Sequence, residues 1–131
     1  MESINSDNAV KELLERIPAF AAARASDPSY PSRGDDSTAY IVFGDFGLFL
    51  SDIILSGKGT GEGPSVTEES FALLNEMGSS PDAEVANLAV VNVFELLTDH
   101  PETITAARAH LSGSALALFE RTVGIWAPQG A

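Results

Sequence analysis

The side chains with the greatest chemical potential in this chain are its carboxylates. The 131 residues include 19 aspartates and glutamates but only 7 lysines and arginines, which gives a net charge of −12 at pH 7. Between Lys58 and Arg108 there is no lysine or arginine, and nine carboxylates fall in that stretch. A surface built from this segment repels nucleic acid and anionic lipid and attracts basic proteins, an effect that salt weakens.

The carboxylates that we expect to contact a partner lie in this lysine-free segment, defined here as residues 59–107. They are Glu68, Glu69, Glu76, Glu84, Glu95, Asp99 and Glu102. Tyr30 and Trp126 are candidate aromatic anchors, because buried aromatic side chains carry much of the binding energy of protein interfaces. The alternative interpretation is that the acidity only keeps the protein soluble.

Groupings that would support catalysis or metal binding are much less distinct. His100 and His110 are ten residues apart, and neither has a second ligand at the spacing that places two metal ligands on one helical face. The aspartates that could bind calcium or magnesium lack the calcium-loop pattern, and we expect them to cap helices and contact solvent. They are Asp35, Asp36, Asp45 and Asp52. We therefore expect a protein without enzyme activity, metal or cofactor; a small enzyme would require a pocket of perturbed carboxylates, which a sequence does not reveal.

Four glycines alternate at positions 57, 59, 61 and 63, a pattern with some likeness to phosphate-binding loops. Phosphate motifs require a preceding strand, and a lysine or a defined spacing before the following helix. Neither is present here, and Glu62 lies within the glycine run. We predict a flexible loop over residues 57–64.

Composition indicates a single folded domain over residues 1–131. With 44% hydrophobic residues the chain has enough apolar material for a core, despite its charge. It has no cysteine, which suits a reducing compartment. We see no secretory signal and no apolar run approaching the ~18 residues that span a bilayer, so we expect a cytoplasmic protein that does not contact membranes.

The elements that must position the carboxylates are predicted to be helices, roughly five or six in number. Helical spacing of apolar residues covers residues 8–24, 37–56, 65–78, 81–97 and 101–111, followed by a last helix that ends near Trp126; residues 26–36 form a loop and the tail 127–131 is frayed. Pro18 means that the first helix either kinks near Ile17 or is two short helices. The run from Tyr40 to Leu55 would also suit strands, but its length and the position of Gly57 favour a helix.

Short helices joined by brief turns are typical of antiparallel all-α packing. A HEAT- or armadillo-like stack and an irregular bundle both fit, and no fixed-period repeat decides between them. The helix over residues 82–97 is the most apolar and is expected to be central. Its Asn87 and Asn92 either bond neighbouring helices and fix the packing register or, with Glu84 and Glu95, face a partner.

Two stretches of the chain resemble a known group of proteins. Phe43-Gly-Asp-Phe46 and Glu84-Val-Ala-Asn-Leu-Ala-Val-Val-Asn-Val-Phe-Glu95-Leu-Leu are similar to segments of small acidic helical bacterial proteins, largely of unknown function. Some of those proteins resemble immunity proteins of polymorphic or contact-dependent toxin systems. The resemblance implies a HEAT-like fold and a binding role, with no catalytic residues to carry over.

The resemblance and the charge lead to the same functional expectation. Toxins that cut nucleic acid need basic surfaces, so an antidote that covers them benefits from dense carboxylates that imitate phosphates. We therefore expect an immunity protein that blocks a basic toxin, such as a nuclease, and that binds neither nucleic acid nor membrane. A general helical interaction scaffold, or a cytosolic domain without a toxin partner, is the alternative; the sequence leaves the oligomeric state open.

Overall fold

The protein is all-helical in the part that the computed structural model describes, residues 4–26, 39–57 and 66–126. These residues form seven helices and no strand. The helices are α1 (Ala9–Arg16), α2 (Pro18–Ser26), α3 (Ala39–Ser56), α4 (Val66–Gly78), α5 (Ala83–Ala89, a π-helical segment Val90–Phe94, then Glu95–Leu97), α6 (Pro101–His110) and α7 (Gly113–Trp126). The all-α prediction is confirmed, with one helix more than the largest number expected. Apart from Ser26 and Gly57, the predicted loops 26–36 and 57–64 and the tail 127–131 lie outside the described residues.

A proline divides the first predicted helix into α1 and α2. Ile17 leaves the helical conformation, with φ −120° and ψ 70°, because a proline ring crowds the residue before it. Pro18 then begins α2, at a position where its missing N–H costs no hydrogen bond. Of the two outcomes predicted for this segment, two short helices are observed.

The long apolar run of the first half forms one helix, α3, and not a pair of strands. Phe43, Phe46 and Leu50 recur at helical spacing and are fully buried. Gly57 follows with φ 74°, the left-handed conformation predicted for the helix cap. Within the described residues, α3 is the helix long and apolar enough to cross a membrane, although half of it is buried in the fold, as in many core helices. No such stretch was expected from the sequence.

The helix expected to be central, α5, packs against α3, α4, α6 and α7, while α3 and α4 each pack against five other helices, so α5 shares the centre of the fold with them. Its π-helical segment lies against α3 at Gly47, where an added Cβ would overlap the backbone carbonyl oxygen of Asn92. Gly78, the last residue of α4, lies equally close to Ala115 of α7, so that a Cβ there would come within 2.6 Å of the Ala115 Cα. At both crossings the helices approach so closely that only glycine fits.

Aromatic side chains fill much of the core between these helices. The Phe20 ring lies 5.4 Å from Phe46 and 5.3 Å from Phe49, which joins α2 to α3. Phe94 of α5 meets Phe119 of α7 edge-on, with 5.6 Å between the ring centroids. Edge-to-face pairs of this kind add about 0.5–1.5 kcal/mol each beyond the area they bury.

A buried ion pair connects α2 to α3. The Arg24 Nε donates to the Asp45 Oδ2 at 3.0 Å, and both side chains are less than a tenth exposed. Asp45 was predicted to cap a helix or contact solvent, and that prediction is wrong. Its carboxylate is buried because a guanidinium from the neighbouring helix compensates for its desolvation.

The segment before α1 is held by the turn between α4 and α5. The Ser6 N–H donates to the Asp82 Oδ2 at 2.8 Å, and the Ser80 hydroxyl donates to the Ile4 carbonyl at 2.6 Å. Asp82 also caps α5 by accepting the Glu84 N–H at 3.0 Å. In the turn that leads into α1, the Asn5 side-chain oxygen accepts the Asp7 N–H at 2.9 Å. The start of α5 is therefore held in part by residues that lie more than seventy positions earlier in the chain.

Candidate functional site

The seven predicted partner-binding carboxylates lie at or near helix ends. Their positions are the first turn of α4 (Glu68, Glu69), its last turn (Glu76), the first turn of α5 (Glu84), its final turn (Glu95), the turn before α6 (Asp99) and the first turn of α6 (Glu102). All are exposed except Glu69 and Glu95, which are half-buried. Carboxylates in the first turn of a helix are also stabilised by its dipole, so their placement serves the fold as well as the surface.

Glu76 does not contribute a bare negative charge, because α1 supplies a cation to it. The Arg16 Nη2 lies 2.6 Å from the Glu76 Oε2. This hydrogen-bonded ion pair raises the pKa of Arg16, and Glu69 and Glu12 act on the guanidinium in the same direction. The lysine-free segment is therefore not a cation-free surface: folding brings Arg16 against α4.

Glu84 belongs to a small polar network between α3 and α5. The Tyr40 hydroxyl donates to the Glu84 Oε1 at 3.4 Å and accepts the Asn87 amide at 2.8 Å. Asn92, further along α5, donates to the Leu88 carbonyl of its own helix at 3.2 Å. Asn87 thus bonds a neighbouring helix, as one of the two interpretations expected, whereas Asn92 bonds its own helix. Asn87 and Glu84 are also exposed.

Five of the seven predicted carboxylates are not neutralised by an ion pair in the described part of the chain. Glu69, Glu84, Glu95, Asp99 and Glu102 form no ion pair with a cation of residues 4–26, 39–57 or 66–126. Asp99 and Glu102 are exposed and lie on either side of Pro101, at the junction of α5 and α6. Of the predicted aromatic anchors, Tyr30 and the side chain of Trp126 lie outside the described residues.

Sequence reasoning missed a groove between α5 and α7. Its volume is about 290 Å³, and its wall on α5 is built from Ala83, Ala86, Asn87 and Val90. Leu118, Arg121, Thr122 and Ile125 form the wall on α7. The signal was present in part: residues at i, i+3, i+4 and i+7 share one helical face, and the four on α5 have that spacing. Nothing in the sequence indicates that the corresponding face of α7 lies opposite.

The described residues contain no group of three or more histidines, aspartates or glutamates arranged to hold a metal ion. His100 is the residue before α6 and makes no side-chain capping bond. The His110 ring stacks on Phe71 with 5.2 Å between centroids and 8° between planes. The carbonyl of His110 also accepts the Asn75 side chain at 3.1 Å, so this histidine helps to join α6 to α4.

No protein family, curated protein or solved structure matches this chain. The function proposed for it rests on its own geometry and charge.

Proposed function

We propose that the protein is an immunity protein of the antitoxin type, which binds a basic protein toxin through its exposed carboxylates and blocks it. The observation that carries the proposal is the set of carboxylates without ion pairs described above, on a chain with a net charge of −12. Such a surface accelerates encounter with a cationic protein and disfavours nucleic acid and anionic membranes. A nuclease is the toxin class that fits best, because its substrate-binding surface must be basic.

The carboxylates at the α5–α6 junction are the strongest part of this surface. Asp99 and Glu102 are exposed, and no described cation neutralises them, whereas Glu76 is already paired with Arg16. Charged groups at the rim of an interface act mainly on the association rate. We therefore assign the main role in steering to Asp99 and Glu102, with Glu68, Glu69, Glu84 and Glu95 in support.

The cellular location of the protein and the arrangement of its helices complete the proposal. We place the protein in the cytoplasm, where an antidote meets an incoming toxin. For the arrangement of helices we favour an irregular bundle over a HEAT- or armadillo-like stack. Repeats of a solenoid contact only their neighbours, whereas α4 packs against both α1 and α7, which lie three helices before and after it.

A co-expression experiment tests the proposed function. If the gene lies beside one for a secreted protein with a toxic C-terminal domain, the chain should restore growth to cells that express that domain. It should not protect against unrelated toxins, since specificity needs matched contacts beyond charge. Growth arrest in the presence of the neighbouring toxin would contradict the immunity role and favour a general interaction scaffold.

Charge-neutralised variants test the mechanism. Replacing Asp99→Asn and Glu102→Gln together should slow association with the toxin by about tenfold at low salt and flatten its salt dependence. The matched control is Asp7→Asn with Glu15→Gln, which removes two exposed charges from the region of α1. Equal association rates for both double variants and the wild type would show that the acidity serves solubility alone.

A further inference from the structure

The groove between α5 and α7 combines an apolar surface with an exposed arginine side chain. Ile125 is 71% exposed, the most exposed of the large hydrophobic side chains in the described part of the chain. Arg121 precedes it by four residues on α7, so the two side chains lie on one helical face, and both line the groove. Ala83 and Ala86 leave the opposite wall shallow because their side chains are small.

Arg121 differs from the other arginines of the described residues in having no carboxylate as an ion-pair partner. Arg16, Arg24 and Arg108 each form an ion pair with a carboxylate. Arg121 is exposed and forms none with any carboxylate of the described residues. In a chain with a net charge of −12, an arginine on an apolar groove is a site for an external carboxylate, since its guanidinium is well suited to bind that group.

The size of the groove distinguishes between kinds of occupant. Sites for small molecules usually have volumes of about 300–1,000 Å³ and enclose most of the ligand. The groove has about 290 Å³ and is only partly enclosed. It therefore suits one or two side chains of a docked protein better than an enclosed small molecule.

We propose that the groove anchors a segment of the partner protein that carries a large apolar side chain and, within one helical turn of it, an aspartate or glutamate. The apolar side chain packs between Ile125 and the alanines of α5, and the carboxylate pairs with Arg121. Glu84 lies on the same helix as the groove's α5 wall and attracts basic residues that flank the segment. The inference deepens the proposed function and rests on it for the identity of the partner.

A peptide selection tests the groove without the toxin. A displayed library of random 12-residue internal peptides is selected on the folded protein, and enriched peptides are synthesised and measured by fluorescence anisotropy. We expect enrichment of a large apolar residue with an acidic residue within four positions of it. Arg121→Glu and Ile125→Ser should each weaken binding at least about tenfold, as for anchor residues of interfaces. Replacing the peptide's acidic residue by lysine should restore binding to the Arg121→Glu variant.

Matched controls separate the groove from general effects of charge and exposure. Lys11→Glu reverses an exposed cation on α1, and Leu48→Ser removes an exposed apolar side chain from α3. Both should bind the peptides like the wild type. All four residues are exposed, so circular dichroism and thermal unfolding should show an unchanged fold.

The outcomes distinguish the groove from the proposed function. Failure to select peptides, selection of basic peptides alone, or equal binding by Arg121→Glu and Ile125→Ser would overturn the groove. Rescue from the toxin with normal affinity in both groove variants would also overturn it, while leaving the immunity role intact. Groove-dependent peptide binding without rescue from any neighbouring toxin would support the groove and contradict the immunity role.

Discussion

Ser70 is a buried residue of α4 whose hydroxyl oxygen has no hydrogen-bond partner among the described residues. An unpaired buried polar group costs about 1–3 kcal/mol, because the water it loses on folding is not replaced. We therefore predict that Ser70→Ala raises the free energy of unfolding by about 1 kcal/mol. Urea denaturation followed by circular dichroism measures this.

A buried hydroxyl with good partners provides the control for Ser70. The single Thr103 hydroxyl proton is shared between the carbonyls of Leu97 and His100, which joins the end of α5 to α6. Thr103→Val keeps the shape of the side chain but removes the donor to the Leu97 carbonyl, while the His100 carbonyl keeps its bond from the Ile104 N–H. The substitution should lower stability by about 1–2 kcal/mol. If Ser70→Ala were as destabilising as Thr103→Val, the Ser70 hydroxyl would have to be bonded in solution.

Asp82 makes stability depend on acid pH. The hydrogen bond from the Ser6 N–H is the largest of the effects that lower the pKa of Asp82 below its ordinary value of 3.8, and the Glu84 N–H acts in the same direction. Because the folded pKa is the lower one, the stabilisation is complete above the unfolded value and is lost as the pH falls through the folded pKa. We predict that the stability advantage of the wild type over Asp82→Asn is complete at neutral pH and is lost as the pH falls into the acid range through the folded pKa.

The measurement for Asp82 is a series of urea midpoints for both proteins across that pH range. The two curves should converge in acid and separate toward neutral pH. A constant difference would mean that the Ser6 and Glu84 bonds do not favour the ionised carboxylate.

At the scale of the helices, the crossing of α3 and α5 depends on one of two neighbouring glycines. A Cβ at Gly47 would overlap the Asn92 backbone, which cannot move aside, whereas a Cβ at Gly44 would lie 3.7 Å from the flexible Asn92 side chain. Alanine favours a helix over glycine by about 1 kcal/mol at either position. We predict that Gly44→Ala is neutral or stabilising and that Gly47→Ala destabilises by about 1–3 kcal/mol, the usual cost of overpacking.

Thermal and urea unfolding of Gly44→Ala and Gly47→Ala provide the measurement. The two substitutions lie three residues apart in the same helix. A second pair tests the same argument at α7: Gly78 lies against Ala115, while nothing approaches the Cβ position of Gly124 within 4 Å. Equal effects of alanine at Gly44 and Gly47 would contradict the close crossing of α3 and α5.

The sequence predicts the existence of most helices but not how α5 is wound. Apolar spacing and stop residues identify α3 despite its β-prone composition, and the proline rule accounts for the break at Ile17. The π-helical segment has no such local signal, because it occurs where α5 meets Gly47, a residue more than forty positions earlier in the chain. Close approach between distant segments is a tertiary property, which local patterns do not encode.

At the scale of the whole molecule, charge repulsion opposes folding. The net charge is −12, and three ion pairs occur in the described residues, two of them partly exposed. Salt screens repulsion between exposed carboxylates more than it weakens a buried pair. We predict that raising sodium chloride from about 20 mM to about 300 mM increases the melting temperature by about 3–5 °C.

Differential scanning calorimetry at both salt concentrations checks this prediction, with potassium chloride as a control for specific ion binding. A fall in melting temperature would mean that favourable ion pairs outweigh repulsion, and the acidic surface would then be less one-sided than its charge indicates.

The candidate site was only partly predictable, because surface charge and sequence charge are different quantities. The sequence places Glu76 in a segment without lysine or arginine, yet α1 packs against α4 and brings Arg16 to it. The groove lay beyond sequence reasoning for the same reason: Val90 and Arg121 line one cavity but are about thirty residues apart. The exposed carboxylates at helix starts were predictable, since capping and dipole rules act within a single turn.

The π-helical segment Val90–Phe94 also determines the direction in which the later side chains of α5 point around the helix axis. Its wider turn accommodates one residue more than an α-helical turn, and each residue rotates a helix by about 100°. With this extra residue in the turn, Leu97 lies on the buried side of the helix and Glu95 is partly exposed. A single-residue deletion within the segment would turn Leu97 away from the core and shift Glu95 with it. The length of this one turn therefore decides which side chains at the α5–α6 junction point into the core and which face solvent.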